Sequence, residues 1–347
     1  MSLASPVIPS RICPPEGLSA RDLAYFASPA RDGRFTCPWG EVTHPTALSV
    51  LRWKLGRSQW ADEKRRAPRI PVAADPLGAL AGLRSDATAT WLGHSTFLLE
   101  IDGLRILTDP IFGSAGLVFS RAVPAPIAPE ALPPIDIVLI SHAHFDHLDR
   151  ASLRALGRRF GRRTLFLVPT GAAKHVPREC ERVVELGWWE AVTVEGIDFA
   201  FVPGHHWHQR GLFDVNESLW GGWCVLGSRR AYFAGDTGSF GGFDVIGRVI
   251  GGFDLALLPL GAYEPRWINA SQHVNPEEAV QAFLDLRARH FVGMHWGTFD
   301  MTDEPLDHGP RVLADVIARR GLDASRFHVL PHGGSLGIAG ASLEIAA

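Results

Sequence analysis

The chain has 347 residues, of which 46% are hydrophobic and 20% charged, values typical of a globular protein. Its net charge of −3 gives no basic footprint for nucleic-acid binding. The four cysteines are scattered, which argues against a disulfide framework and against a cysteine zinc site. No apolar run approaches the ~20 residues of a membrane-spanning helix, and no signal peptide is recognisable. We therefore expect a cytoplasmic protein.

Residues 1–85 are irregular and rich in proline, arginine and tryptophan. Because disordered segments are poor in aromatic residues, we predict an extended arm with a short helix, packed on the rest of the chain by Trp39 and Trp53. A disordered tail is the alternative. The predicted division is an N-terminal arm over residues 1–85 and a single larger domain over residues 86–347.

A regular pattern begins near residue 90. Residues 96–101 and 104–109 form two apolar runs, and the Asp102-Gly103 pair between them predicts a hairpin. The following segment, residues 110–134, is rich in proline, alanine and glycine. We predict a long loop here, of a kind that often serves as a lid or a binding loop.

Residues 141–147 read Ser-His-Ala-His-Phe-Asp-His and directly follow a buried-strand pattern over residues 135–140. Imidazole nitrogens and carboxylate oxygens suit Zn²⁺ and related metals. In an extended segment His142 and His144 project to one side, and the following turn can offer Asp146 and His147 to a second ion. The pattern therefore predicts a metal site at a strand end. A surface histidine cluster is the alternative.

The rest of the chain alternates between apolar runs and amphipathic segments. Asp149 is a predicted N-cap for a helix ending at Phe160. Further strands are predicted over residues 164–169, 192–194, 198–202, 222–226, 230–234, 254–260, 290–294 and 326–330. Helices are predicted over residues 276–289 and 310–320. This order suggests α and β elements layered around two sheets.

Three more strands end in a candidate metal ligand, and one loop carries another histidine. His206, Asp236 and His295 each follow an apolar run, and His273 lies in the loop before the predicted helix at 276. Several strand ends that carry histidine or aspartate are what a shared metal site at one edge of a sheet requires.

The order His-x-His-x-Asp-His, a later His, Gly-Asp-Thr-Gly and a final His resembles the metallo-β-lactamase superfamily. The stretch Gly-Ala-Tyr-Glu-Pro-Arg-Trp at residues 261–267 more narrowly resembles the N-acyl-phosphatidylethanolamine-hydrolysing phospholipase D family. The likeness covers about residues 90–335. It implies an α/β fold, the αββα sandwich of two mixed β-sheets flanked by helices, with the active site at one edge between the sheets.

The resemblance also implies a dinuclear centre with two divalent metal ions, Zn²⁺ in the first place and Fe or Mn as alternatives. It assigns His142, His144 and His206 to one metal, Asp146, His147 and His295 to the other, and Asp236 between the two. The sequence departs from the family at His205, where glutamine is usual. Alignment on Trp207 makes His206 the ligand and leaves His205 and His208 as extra imidazoles. His332 could approach the site from the last loop.

The resemblance implies hydrolysis of N-acyl-phosphatidylethanolamine, or a related phospholipid, to phosphatidic acid and an N-acylethanolamine. Asp146 would orient the attacking water and accept its proton. His273 would contact the substrate or donate to the leaving oxygen, with a loop-anchoring hydrogen bond as the alternative. Arg266 could bind phosphate, with a structural contact to Glu264 or to the backbone as its alternative.

A lipid substrate requires an apolar surface near the site, so we expect peripheral membrane contact. The first candidate surface is the loop at 111–127, through Ile111, Phe112, Leu117, Val118, Phe119, Val123 and Ile127, and the second is the aromatic arm. Ordinary packing is the alternative for both. A homodimer is a further expectation.

Two other functions compete. The same metal site would support attack on a carbonyl, so a hydrolase of a lactone, another cyclic ester or a small phosphodiester is the main alternative. A non-enzymatic protein that binds metal or nucleotide is disfavoured, because all seven ligand positions carry competent residues.

Overall fold

The structure of the chain, a computed structural model, describes residues 7–66, 68–83, 85–116, 119–339 and 342–346. The N-terminal segment contains only short elements: β1 (Ser10–Arg11), α1 (Ala20–Leu23), β2 (Ala30–Arg31), β3 (Arg34–Phe35), α2 (Ala47–Leu55), α3 (Ala61–Lys64) and α4 (Pro76–Gly82). None of the helices in the described part of the chain has the length and hydrophobicity needed to span a lipid bilayer.

Most of the first sheet comes from the next part of the chain, which contributes β4 (Ala87–Trp91), β5 (Phe97–Ile101), β6 (Leu104–Thr108), β7 (Ile137–Leu139), α5 (Arg150–Phe160), β8 (Leu165–Pro169) and β9 (Val183–Leu186). β4, β5 and β6 are antiparallel, and β6 to β9 are parallel. Asp149 caps α5 as predicted, since its side chain accepts from the backbone N–H groups of Ala151 and Ser152.

The second sheet follows, with β10 (Glu190–Val194), β11 (Ile197–Val202), β12 (Gly222–Leu226), β13 (Arg230–Phe233), α6 (Gly242–Ile250), β14 (Phe253–Pro259), α7 (Arg266–Asn269), α8 (Pro276–Asp285), β15 (Ala288–Met294), α9 (His308–Arg319) and β16 (Phe327–His328). Its strands run antiparallel from β10 to β13 and parallel from β13 to β16, while β1 extends its edge beside β10.

The chain finally returns to the first sheet through β17 (Ser335–Ala339) and β18 (Ser342–Ala346). β17 pairs with β4, which gives this sheet the order β18-β17-β4-β5-β6-β7-β8-β9. The prediction that a strand over residues 326–330 would be the last was therefore wrong. The alternating run of residues after Gly334 also forms a strand. It does so because β4 lies beside it and pairs with it.

Two helix predictions also need correction. The helix predicted over residues 276–289 ends at Asp285, and Arg287 adopts a left-handed backbone conformation before β15 begins at Ala288. α6 was not predicted, because the glycines at 241, 242 and 247 hide its apolar face. That face is nevertheless buried, and Gly247 lies so close to the Asp285 carbonyl that no side chain would fit.

The two mixed sheets pack face to face and helices cover their outer faces, as the αββα prediction requires. One large core contains side chains of both sheets, such as Leu99 and Phe201. A second core lies under α5, where Leu153 and Leu156 pack with residues of β7 and β8 such as Val138. Burial of these apolar surfaces supplies the main driving force for the fold.

Aromatic side chains of the N-terminal segment lie against the second sheet. The Trp39 ring lies 5.0 Å from the Tyr25 and Trp188 rings, and Phe26 stacks on Trp189 at 4.2 Å. The Trp53 indole N–H donates to Asp303 Oδ1 at 2.9 Å. The division of the chain at residue 85 stays a prediction, and its residues 1–6, 67 and 84 lie outside the described residues.

Candidate metal centre

The carboxyl ends of several strands meet at one edge of the sandwich. β6 and β7 are parallel in the first sheet, and β11, β13 and β15 point the same way in the second. Asp109 follows β6, the histidine-rich loop follows β7, and Asp236 and His295 follow β13 and β15. This arrangement explains why side chains distant in sequence face one another between the sheets.

Three imidazoles form the first group of the centre. His142 Nε2 lies 2.9 Å from His144 Nδ1, and His206 Nε2 lies 3.3 Å from the same atom. His142 and His206 are buried, whereas His144 is partly exposed. The three nitrogens converge on one point, which is the geometry needed to hold a metal ion.

Aspartates and histidines form the second group. Asp146 Oδ2 lies 3.4 Å from His147 Nε2 and 3.8 Å from His295 Nε2. Asp236 lies on the other side of these imidazoles, with 3.2 Å between its Oδ2 and His147 Nε2 and 3.1 Å between its Oδ1 and His295 Nε2. The structure therefore brings together all seven side chains that the sequence singled out as metal ligands.

His94 joins the second group, although it was not among the predicted ligands. Its Nε2 lies 2.9 Å from Asp146 Oδ2, and its backbone carbonyl accepts from the N–H of His295. Both histidines have positive φ angles, 52° and 58°, which are costly for non-glycine residues and recur at functional sites. Asp146 is thus oriented by a buried imidazole.

A second missed residue, Asp109, orients the imidazoles from behind. His147 Nδ1 donates to Asp109 Oδ2 at 2.6 Å, which turns Nε2 toward Asp146 and Asp236. Ser141 donates to the same carboxylate through its N–H and its hydroxyl, and its Oγ lies 2.9 Å from His142 Nδ1. Such outer contacts fix which ring nitrogen is available to a metal.

The two groups of the centre differ in protonation state. Burial would raise the pKa of Asp146 and of Asp236, but the charge of His147 and hydrogen bonds from His147 and His295 together hold both pKa values well below their ordinary range. Burial lowers the pKa of His142 and of His206 well below the usual value for histidine. Burial would also lower the pKa of His147 and of His295, but the neighbouring carboxylates together raise the first well above its ordinary value and the second to about 9. These two imidazoles would therefore release a proton when they bind a metal.

Unpartnered atoms test whether a metal fits. His147 Nε2, His295 Nε2 and Asp236 Oδ1 are buried and lack a hydrogen-bond partner among the described residues. Buried polar atoms without partners are costly, and here they point toward one another in a nitrogen and oxygen donor set. A divalent cation would satisfy them, so the residues fit a metal centre.

A family model described as a beta-lactamase superfamily domain matches residues 104–296. The chain is 37% identical over 332 residues to N-acyl-phosphatidylethanolamine-hydrolyzing phospholipase D 1 of Caenorhabditis elegans, covering 87% of this chain and 92% of that protein. The chain belongs to the metallo-β-lactamase superfamily. Within this superfamily, its curated relatives place it beside the N-acyl-phosphatidylethanolamine-hydrolysing phospholipases D.

A second relative and a solved structure are similar in sequence and in fold, respectively. The mitochondrial N-acyl-phosphatidylethanolamine-hydrolyzing phospholipase D of Saccharomyces cerevisiae is 38% identical over 248 residues, covering 68% of this chain and 52% of that protein. A metallo hydrolase from the archaeon Ignicoccus hospitalis shares the fold, with a TM-score of 0.55, 23% identity and coverage of 72% of this chain and 97% of that chain. The protein is a metal-dependent hydrolase, and its His and Asp groups are candidates to bind divalent metal.

His273 lies at the margin of the candidate metal centre. Its Nδ1 is 3.8 Å from Asp236 Oδ2, and its ring lies 5.4 Å from that of His206. Burial lowers the pKa of His273 to about 4, with Asp236 opposing the shift, so the ring is neutral. Arg266 Nη1 donates to the His273 carbonyl at 2.8 Å. A neutral ring held in this way can exchange hydrogen bonds with a substrate.

Arg266 makes structural contacts, the alternative left open by the sequence. Besides the His273 carbonyl, its guanidinium donates to both carboxylate oxygens of Glu278, at 2.8 and 2.9 Å. His332 also stands behind the site, because its Nε2 contacts Thr298 Oγ1 at 3.0 Å. Thr298 in turn accepts from the backbone N–H of His94.

An apolar cavity of about 600 Å³ opens onto the centre. His144 and Asp146 form part of its wall, and the remaining lining residues are Ala115, Gly116, Phe119, Phe145, Trp207, Gln209, Arg210, Gly211 and Met301. Arg210 supports this wall, since its guanidinium donates to the carbonyls of Ala143, His144 and Leu148 and lies 4.2 Å from the Phe145 ring centre.

The loop at 111–127 is largely packed where it is described. Ile111 and Ile127 are buried, and Phe112 and Phe119 pack partly against buried clusters. The candidate membrane residues Leu117 and Val118 lie outside the described residues. More apolar surface is exposed beside the cavity at Phe145, and at Leu212 and Phe213, which directly follow the lining residue Gly211 and are 84% and 83% exposed.

Proposed function

We propose that this hydrolase cleaves N-acyl-phosphatidylethanolamine, or a related phospholipid, to phosphatidic acid and an N-acylethanolamine. The observation that carries the proposal is the apolar cavity whose wall includes His144 and Asp146. A lipid needs apolar volume next to the point of phosphoryl attack, whereas a small polar ester does not. The named activity of the curated relatives supports the same substrate class.

The proposed centre holds two cations, with Zn²⁺ the first choice and Fe or Mn alternatives. The ligands are His142, His144 and His206 for one cation, Asp146, His147 and His295 for the other, and Asp236 between them. When bound, such cations lower the pKa of water and neutralise charge that develops on phosphoryl oxygens. In this assignment one cation has imidazole ligands together with Asp236, and the other has the remaining carboxylate, Asp146, as well.

The chain's own residues then handle the protons. The Asp146 carboxylate, oriented by His94 Nε2 at 2.9 Å, accepts a proton from the water that attacks phosphorus. The bond from phosphorus to the ethanolamine oxygen breaks, and that oxygen takes up one proton, so that the hydroxyl and the hydrogen of one water are divided between phosphatidic acid and the N-acylethanolamine. His273 is the proposed contact for this leaving oxygen, and the Arg266 bond to its carbonyl keeps it in place.

The same proposal includes contact with a lipid surface. Phe145, Leu212 and Phe213 are exposed beside the cavity, so they can enter the interfacial region while the site stays outside the bilayer. A second exposed apolar set lies on α2 at Leu48, Leu51 and Leu55. Because the first set adjoins the cavity and the second does not line it, we assign substrate uptake to the first.

The deciding experiment is product analysis by mass spectrometry with metal-loaded protein and N-acyl-phosphatidylethanolamine in mixed micelles. We expect phosphatidic acid and N-acylethanolamine, abolished in Asp146→Asn and retained in His290→Gln, which changes a histidine near the amino end of β15, the end opposite to His295. A lactone and a water-soluble phosphodiester are run in parallel. Turnover of the lactone without lipid products would overturn the proposal in favour of the cyclic-ester alternative.

Lipid contact has its own test, sedimentation with vesicles of phosphatidylethanolamine and phosphatidylglycerol. We expect the double change Leu212→Ser and Phe213→Ser to reduce vesicle binding and to raise KM for the lipid, without affecting a soluble phosphodiester. The matched control is Leu48→Ser with Leu51→Ser on α2. Greater loss of binding in the control pair would reassign the contact to that helix.

A further inference from the structure

A group of two histidines and one aspartate lies outside the proposed dinuclear centre. His175 ends a short 3₁₀ turn that follows β8, and His208 and Asp214 belong to the loop between β11 and β12. One ligand atom from each lies within 4.8 Å of the others. Two imidazoles and a carboxylate are a donor set typical of borderline divalent metals such as Zn²⁺.

The state of His208 points to a ligand. Its side chain is fully buried, at 0% exposure, and neither ring nitrogen has a hydrogen-bond partner among the described residues. His175 Nε2 is buried and unpartnered in the same way. An ordinary core histidine satisfies at least one nitrogen, because a buried polar group without a partner is costly. Here three nitrogens of two neighbouring rings, 5.5 Å apart, remain unsatisfied.

The loop around these side chains is held by its own hydrogen bonds. The N–H of His208 donates to Asn216 Oδ1 at 3.0 Å, and the N–H of Asn216 donates back to the His208 carbonyl. Asp214 Oδ1 accepts from the N–H groups of Arg210 and Gly211, at 3.1 and 2.7 Å. The loop therefore presents Asp214 and His208 without needing the metal to fold it, which lowers the entropic cost of binding.

Neighbouring positive charges are engaged elsewhere. Lys174 Nζ pairs with Glu217 Oε2 at 2.7 Å. The Arg210 guanidinium is directed at the carbonyls of the histidine-rich loop and at the Phe145 ring. The Asp214 carboxylate adds a negative charge to the group, and this charge attracts a cation.

We propose that His175, His208 and Asp214 form an accessory site for a divalent transition metal such as Zn²⁺. The ion would connect a turn of the first sheet to a loop of the second sheet. That loop carries His206 near one end and the exposed Leu212-Phe213 tip between His208 and Asp214. The site is structural: it fixes the loop that supplies one wall of the cavity, and it does not depend on which substrate the enzyme cleaves.

The test is the zinc content per chain after saturation and desalting, measured by plasma mass spectrometry. We expect His175→Gln and Asp214→Asn each to hold one zinc fewer than the wild-type protein. His175 is only partly buried, and asparagine keeps the Oδ1 acceptor of Asp214, so both variants should fold. The matched control His290→Gln retains the full content. Equal zinc content in the wild-type protein and both variants would overturn the proposal.

A second readout separates this site from the dinuclear centre. Arg210 lies in the same loop and its guanidinium donates to three carbonyls, so we expect trypsin to cleave after it only when the loop opens. Zinc at ten times its Kd for the accessory site should slow this cleavage about tenfold more in the wild-type protein than in His175→Gln, which retains the dinuclear ligands. Equal protection in both proteins would contradict an accessory metal, whatever activity the enzyme has.

Discussion

The two halves of the metal centre use different chemistry. His142, His144 and His206 are three imidazoles, and their outer contacts are neutral: Ser141 Oγ for His142 and the Gln272 carbonyl for His206. The other half carries the charge, with Asp146 and Asp236 inside it and Asp109 behind His147. The proposed dinuclear site would have one neutral pocket and one anionic pocket, with Asp236 as the proposed ligand of both.

This difference has consequences for both affinity and catalysis. Attraction between a divalent cation and a carboxylate is strong where water is excluded, so the anionic half should retain its metal better. Each half has one partly exposed member that lines the cavity, His144 in the neutral half and Asp146 in the anionic half. A substrate oxygen entering from the cavity therefore meets His144 and Asp146 first.

The shared carboxylate should give the largest effect. Asp236→Ala removes the only carboxylate placed to serve both halves in the proposed centre. We expect kcat/KM for the phospholipid to fall at least about a thousandfold, equivalent to about 4 kcal/mol of transition-state stabilisation. Zinc content should fall at the same time. Full activity with full metal content would show that the halves do not share this ligand.

Removing one histidine from each half tests whether the neutral and the anionic half retain their metals with different strength. We expect His206→Ala and His295→Ala each to lose one zinc and to lower kcat/KM by a few hundredfold, about 3 kcal/mol. Dialysis against a mild chelator should then strip His295→Ala, which keeps the neutral half, faster than His206→Ala. Stripping in the opposite order would mean that carboxylate charge does not control retention.

Much of the centre could be predicted from sequence because each ligand directly follows a strand. Apolar runs ending in His206, Asp236 or His295 are visible in the chain, and parallel strands bring such ends to one edge. The same reasoning missed Asp109 and His94. They also follow or precede strands, but their roles appear only when another side chain, His147 or Asp146, is known to lie beside them.

Other misses share this cause. β17 and β18 depend on pairing with β4, which lies more than two hundred residues earlier in the chain. His175 and His208 are 33 positions apart and lie in a turn after β8 and in the loop between β11 and β12, so no local pattern connects them. Local periodicity predicts elements, whereas contacts between distant loops require the packed structure.

Replacing His273, which lies beside Asp236, tests whether this histidine contacts the leaving oxygen. We expect His273→Gln to lower kcat/KM about a hundredfold for a phospholipid, because its ethanolamine-derived leaving oxygen loses the proposed hydrogen bond from the neutral His273 ring. A p-nitrophenyl phosphodiester has a good leaving group, so its hydrolysis should change little. Equal losses with both substrates would contradict a leaving-group role and favour a purely structural histidine.

The smallest expected effect is that of Asp109, which supports both halves without facing the metals. Asp109→Asn keeps the shape but weakens the bonds from His147 Nδ1 and Ser141. We expect kcat/KM to fall about thirtyfold, within the range of such outer contacts, and zinc affinity at the anionic half to fall with it. The control is Asp102→Asn, a surface-turn carboxylate that contacts Ser228. If Asp109→Asn lowers only Tm, while kcat/KM and zinc affinity stay unchanged, then Asp109 stabilises the fold and the neutral and anionic halves are oriented by backbone contacts alone.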